Sequence, residues 1–226
     1  MRALPYALFI AAAAIFPMAP VRVFLETPNE RTMGTAFKIF FFHVPMAWIF
    51  MLLAVVCGVA AGIELRRRSR RAAAVARASA EVSFLCGAGV LLTGPIWGNA
   101  TWGEPWTGDA RQMTTALLWL VVASYLLVRQ YGGPSSRRLA AGLAIFGAVD
   151  VPIIYYAVKI WKTLHPTTDV VTTLPPSMRA ALWPALCALL LVSLGLVIVR
   201  TRQVALEADL DEAWVELDRQ AQGVTA

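Results

Sequence analysis

Two histidines, His43 and His165, are the only imidazoles in this 226-residue chain. Between them in sequence lies an unusual stretch, residues 97–111. It holds Trp97, Trp102 and Trp106, three glycines, Pro105, the acids Glu104 and Asp109, and Arg111. A neutral imidazole is a good metal ligand. Two of them can fill both axial positions of a haem iron. Tryptophans spaced by small residues offer a flat apolar face to a flat ligand, and Arg111 could pair with a propionate. Taken singly, each feature has a plainer explanation. One histidine is an interfacial polar residue, and three tryptophans are an aromatic belt. Both of only two histidines, on one face and beside this loop, put haem ligation first.

Zinc is the next alternative, because Asp109 or Glu104 could add a third ligand to the two histidines. It leaves the tryptophans without a purpose. Covalent c-type haem on this chain is excluded by the missing CxxCH. No Walker A sequence is present, so any ATPase must be another chain. No third histidine exists to serve a Ser-His-Asp arrangement.

The elements that must position these residues are membrane spans. The chain is 58% hydrophobic with a mean hydropathy of +0.63, against about 45–50% apolar in soluble domains. Six apolar segments stand out: 4–24, 40–63, 82–95, 113–128, 139–158 and 180–199. The third and fourth are short for a hydrocarbon core of about 30 Å. Glycine and proline make a continuous helix through 97–111 unexpected. The expected fold is all-α and polytopic, with six transmembrane helices. The expected division is a transmembrane haem-handling domain over 1–200 and a cytoplasmic amphipathic tail over 201–226. The first segment reads as a retained helix, since it lacks a convincing cleavage site.

Loop charges set the orientation. Thirteen arginines fall on one side, among them the run Arg66, Arg67, Arg68, Arg70 and Arg71, and seven basic residues fall on the other. The thirteen belong in the cytoplasm. Both termini are then cytoplasmic, and His43, His165 and the tryptophan loop face outward. The same clustering makes the net charge of +6 a topology signal and not a nucleic-acid groove.

Asp150 lies inside the fifth span, where an acid costs about 2.5–3.5 kcal/mol or more unless paired or protonated. It reads equally as a relay and as an acid satisfying backbone donors near Pro152. Pro45 and Pro152 are candidates to bend helices near the site. The cysteines Cys57, Cys86 and Cys187 lie in apolar segments without CxxC spacing and read as packing residues. Leu206, Leu210, Trp214 and Leu217 recur at helical spacing among acids. That pattern favours a protein partner over an anionic membrane surface.

From about Lys38 to Arg200 the chain resembles the CcmC-type haem-handling proteins, the heme exporter protein C family of cytochrome c maturation. The resemblance rests on three motifs in order. They are His43-Val44-Pro45, the outward "WWD" loop with Trp97, Trp102, Trp106, Asp109 and Arg111, and Val151-Pro152-Ile153-Ile154-Tyr155 running on to Trp161 and His165. The resemblance implies haem b bound at the periplasmic face of the bacterial inner membrane. His43 and His165 would be axial ligands, and Trp97, Trp102, Trp106, Asp109 and Arg111 the haem-facing loop. It also implies delivery to the haem chaperone CcmE, with the small membrane protein CcmD and the ABC transporter subunits CcmA and CcmB as associates.

Pro105 and Gly108 stand where the family usually has tryptophan, and Ile160 where a second tryptophan often precedes Trp161. Weaker haem retention is expected, with Gly108→Trp slowing haem loss. The function expected is presentation and handover, not catalysis. A haem transporter subunit and a membrane cytochrome b electron carrier are the alternatives. Two histidines on one face permit one haem and no transmembrane relay.

Overall fold

The computed structural model describes residues 3–166 and 170–221. Among these, six helices are long and apolar enough to cross a membrane. We label them α1 (Leu4–Ile15, carried on to Glu26 by shorter turns), α2 (Phe40–Arg67), α3 (Arg70–Trp102), α4 (Ala110–Tyr131), α5 (Arg137–Ile160) and α6 (Pro176–Ala221). Exposed leucines and isoleucines on their outer faces, such as Leu85, Leu92, Leu120 and Leu127, suit contact with lipid.

Each departure from the expected segments has a local cause. Pro17 and Pro20 lack the N–H that the α ladder needs, and α1 gives way to a wider π turn over Val21–Glu26. The third apolar segment is longer than hydropathy implies. Its first turns mix alanine with arginine, both good helix formers, and the arginines lower the hydropathy there. Ser69 caps this helix, its hydroxyl accepting the Ala72 N–H at 3.2 Å.

Residues 97–111 also depart from expectation. Helix α3 runs on through Trp102, so only 103–109 is non-helical. Gly98 lets the loop fold back across the helix. A Cβ there would stand 3.2 Å from the Glu104 carbonyl oxygen and 3.4 Å from that of Pro105. Gly103, at φ +78°, then ends the helix.

The core between α2, α3, α4 and α5 is rich in alanine: Ala54, Ala61, Ala76, Ala80, Ala141 and Ala144 surround Phe50, Leu118 and Tyr125. Small residues allow the close helix approach that membrane bundles need. Helix α1 packs along α6, and α6 in turn packs on α2 and α3. α6 has 46 residues, about 69 Å at 1.5 Å per residue and over twice a bilayer core. It continues without a break through Ala221, so the expected tail is an extension of the last span. Leu206, Leu210, Trp214 and Leu217 are exposed on it. Residues 222–226 lie outside the described residues.

Candidate functional site: a two-histidine cavity at one end of the bundle

His43 begins α2, Trp97 and Trp102 end α3, Arg111 begins α4, and His165 follows α5. Consecutive helices run antiparallel, so all of these residues arrive at the same end of the bundle. His43, Trp97, Trp106, Arg111 and His165 line one cavity of about 330 Å³. That volume is at the low end for ligand pockets, about 300–1,000 Å³. The remaining walls are mainly apolar, including Phe40, Val44, Trp48, Met51 and Leu91. Trp106 is 43% exposed, so one side is open.

Both imidazoles are held by the same ring nitrogen. His43 Nδ1 lies 2.8 Å from the Thr93 hydroxyl on α3. That hydroxyl already donates its proton to the Gly89 carbonyl at 2.7 Å. With its proton on that carbonyl the hydroxyl accepts from His43, which puts the hydrogen on Nδ1 and leaves the Nε2 lone pair free. His165 Nδ1 lies 3.0 Å from Asp109 Oδ2. A carboxylate only accepts, so this Nε2 is free as well. Fixing the tautomer through the second nitrogen is how proteins orient metal-binding histidines.

Asp109 does two jobs. Oδ1 caps α4 by accepting the Gln112 N–H at 2.9 Å, while Oδ2 holds His165. Burial pushes its carboxyl up. The hydrogen bonds from His165 and the Gln112 backbone outweigh that and hold it well below the usual carboxylate range. The loop is clipped from the other side. Gln112 Oε1 accepts from Thr107 N at 3.0 Å, Thr107 Oγ1 at 2.9 Å and Gly108 N at 3.0 Å.

The tryptophans divide the work. Trp97 is buried and meets Trp102 edge-on at 5.1 Å between centroids. Trp102 meets His165 edge-on at 5.3 Å, so it supports that imidazole. Trp97 and Trp106 are the two that line the cavity. Trp97 Nε1 is buried with no hydrogen-bond partner among the described residues. Arg111 lines the cavity and makes no ion pair or hydrogen bond with a described residue.

These groups fit a haem. Two free Nε2 atoms suit an iron, apolar walls suit a macrocycle, and an unpaired guanidinium with a spare indole N–H suits a propionate. Three-ligand zinc fits poorly, because no group of three His, Cys, Asp or Glu residues comes together among the described residues.

Tyr155, part of the fifth-span motif, lines the cavity near Arg111, whereas Thr93 and Gln112 stand out only in the folded chain. For Gln112 a sequence signal does exist. Asp109-Ala110-Arg111-Gln112 is a capping-box pattern. Asp150 is 3% exposed, and its Oδ2 has no partner among the described residues. It lies one helical turn from Ile154, which lines the cavity. Gly108 stands at φ +69°, a conformation that costs a larger residue about 1–2 kcal/mol. Gly108→Trp therefore strains the loop, and the expectation that it slows haem loss is withdrawn.

Fold and site together define a multi-spanning helical membrane protein with a tryptophan-walled, two-imidazole cavity at one end. The heme exporter protein C family profile matches residues 1–216. Heme exporter protein C of Escherichia coli (strain K12) is 30% identical over 215 residues, covering 92% of this chain and 86% of that protein. That of Haemophilus influenzae is 30% identical over 204 residues, covering 84% and 79%. That of Bradyrhizobium diazoefficiens is 36% identical over 145 residues, covering 63% and 55%. The chain belongs to the heme exporter protein C family. Membership gives it a haem-related role in cytochrome c maturation.

Proposed function

We propose that the chain holds haem b at the periplasmic face of the bacterial inner membrane and passes it to the haem chaperone CcmE. Both termini then lie in the cytoplasm. The small membrane protein CcmD and the ABC transporter subunits CcmA and CcmB are its further partners. His43 and His165 ligate the iron, Trp97 and Trp106 cover the macrocycle, and Arg111 pairs with a propionate. Trp102 and Asp109 hold His165 in place. The observation that carries this reading is the shared tautomer: both imidazoles spend Nδ1 on the protein and keep Nε2 free beside one cavity. The open side at Trp106 leaves a porphyrin edge accessible to an acceptor. With both axial positions filled by protein, no site remains for oxygen chemistry. This chain binds, orients and releases.

The test is covalent haem on CcmE in cells carrying His43→Ala or His165→Ala. Each variant is expected to abolish haem-loaded CcmE while the chain stays in the membrane. Loading at the original level in both variants would sink the proposal.

A further inference from the structure

A second cavity lies at the opposite end of the bundle, far from both histidines. It has a volume of about 820 Å³ and is walled by the start of α3, the α4–α5 turn and the α6 extension. Arginines dominate it, and half of the six are neutralised. Arg70 pairs with Glu212 and Asp209, Arg77 with Glu81, and Arg129 with Glu64. Just beside them, Arg200 takes Glu81 and Glu207. Three lining arginines, Arg71, Arg137 and Arg138, have no acid partner among the described residues. Of the lining acids, Asp211 on the opposite wall has no ion-pair partner among the described residues. The groove keeps a positive surplus after every ion pair is made.

Two features point that surplus at an oxyanion. Arg137 and Arg138 open α5, a 24-residue helix whose first N–H groups receive no side-chain cap. The Ser135 hydroxyl lines the same groove. A topology signal needs only a count of charges. It does not need a cavity, nor ion pairs that spare the three arginines facing it. Apolar surface adjoins the charge: Leu127, Tyr131 and Leu139, at the neighbouring ends of α4 and α5, are all exposed.

We propose that this groove binds the phosphate of an anionic phospholipid headgroup, with the acyl chains along the outer faces of α4 and α5. Basic pockets between transmembrane helices bind such headgroups. The α6 extension, tied down by Arg70, forms the far wall. A free phosphate ion shares the headgroup chemistry but does not use the apolar flank.

The experiment uses the purified full chain in detergent, followed by native mass spectrometry. The probes are phosphatidylglycerol, phosphatidylcholine and inorganic phosphate. Phosphatidylglycerol is expected to bind at least about tenfold better than phosphatidylcholine. The combined Arg71→Gln, Arg137→Gln, Arg138→Gln variant is expected to lose that preference. A control of equal charge loss outside the groove, Arg66→Gln, Arg67→Gln, Arg68→Gln, is expected to keep it. Inorganic phosphate is expected not to compete. Equal binding of the two lipids, equal loss in the control, or binding of inorganic phosphate alone would overturn the proposal. Circular dichroism of both variants separates loss of the site from loss of the fold.

Discussion

Asp109→Asn probes the tautomer argument with almost no change of shape. Asparagine keeps an acceptor oxygen for the Gln112 N–H, so α4 stays capped. Its NH2 then faces His165 Nδ1, where Asp109 Oδ2 accepts at 3.0 Å. A donor at that position moves the imidazole hydrogen to Nε2 and removes the lone pair the iron needs. A charge-assisted hydrogen bond is worth about 1.5–3 kcal/mol, or roughly 10- to 150-fold in affinity. That agrees with the 10- to 100-fold or so usually lost on removing a partner of a metal-bound histidine. The assay is haem titration of the purified variant by its Soret band, with a thermal melt in parallel. The expected result is affinity reduced by about one to two decades. If the amide turns the other way, its oxygen still serves His165 and the cap fails. The melt then falls by the equivalent of about 1 kcal/mol. Affinity and melting temperature both unchanged would refute the reasoning.

Other outcomes follow from the same geometry. Arg111→Gln removes the guanidinium that lines the cavity. It should weaken haem binding, and less so for a haem with esterified propionates, as measured by parallel titrations. Gly108→Trp should lower the melting temperature by the equivalent of about 1–2 kcal/mol without slowing haem loss, measured by transfer to an excess of apomyoglobin. Asp109 has a depressed carboxyl in the folded state. Its contribution to stability is present above the unfolded value of about 3.9 and is lost as pH falls through the folded value. Melts of the parent chain and Asp109→Ala should differ at pH 6 and converge well below pH 4.

The spans were legible because lipid leaves helices few choices: apolar runs and flanking arginines mark all six. Helical continuity through Trp97–Trp102 was not legible. Gly98 argues against a helix locally, and its reason for being there, the carbonyls of Glu104 and Pro105 close above it, appears only once the loop is folded. His43, His165, Arg111 and the tryptophans stood out by rarity and type. Asp109 was legible as a loop acid, but its division between a helix cap and an imidazole was not. Thr93 carried no signal, because a threonine in an apolar span ordinarily hydrogen-bonds its own helix. Thr93 does so too, and its free lone pair then serves His43. The gap in the ion-pair pattern at Arg71, Arg137 and Arg138 depends on how α6 lies against α3, which no charge count reveals.

The central claim is that His43 and His165 share one iron, and electron paramagnetic resonance of the ferric haem complex tests it most directly. One low-spin signal typical of two imidazole ligands is expected from the parent chain. In His43→Ala and in His165→Ala separately, that signal should give way to a high-spin one or vanish with the haem. The same low-spin signal surviving in either variant would contradict the account.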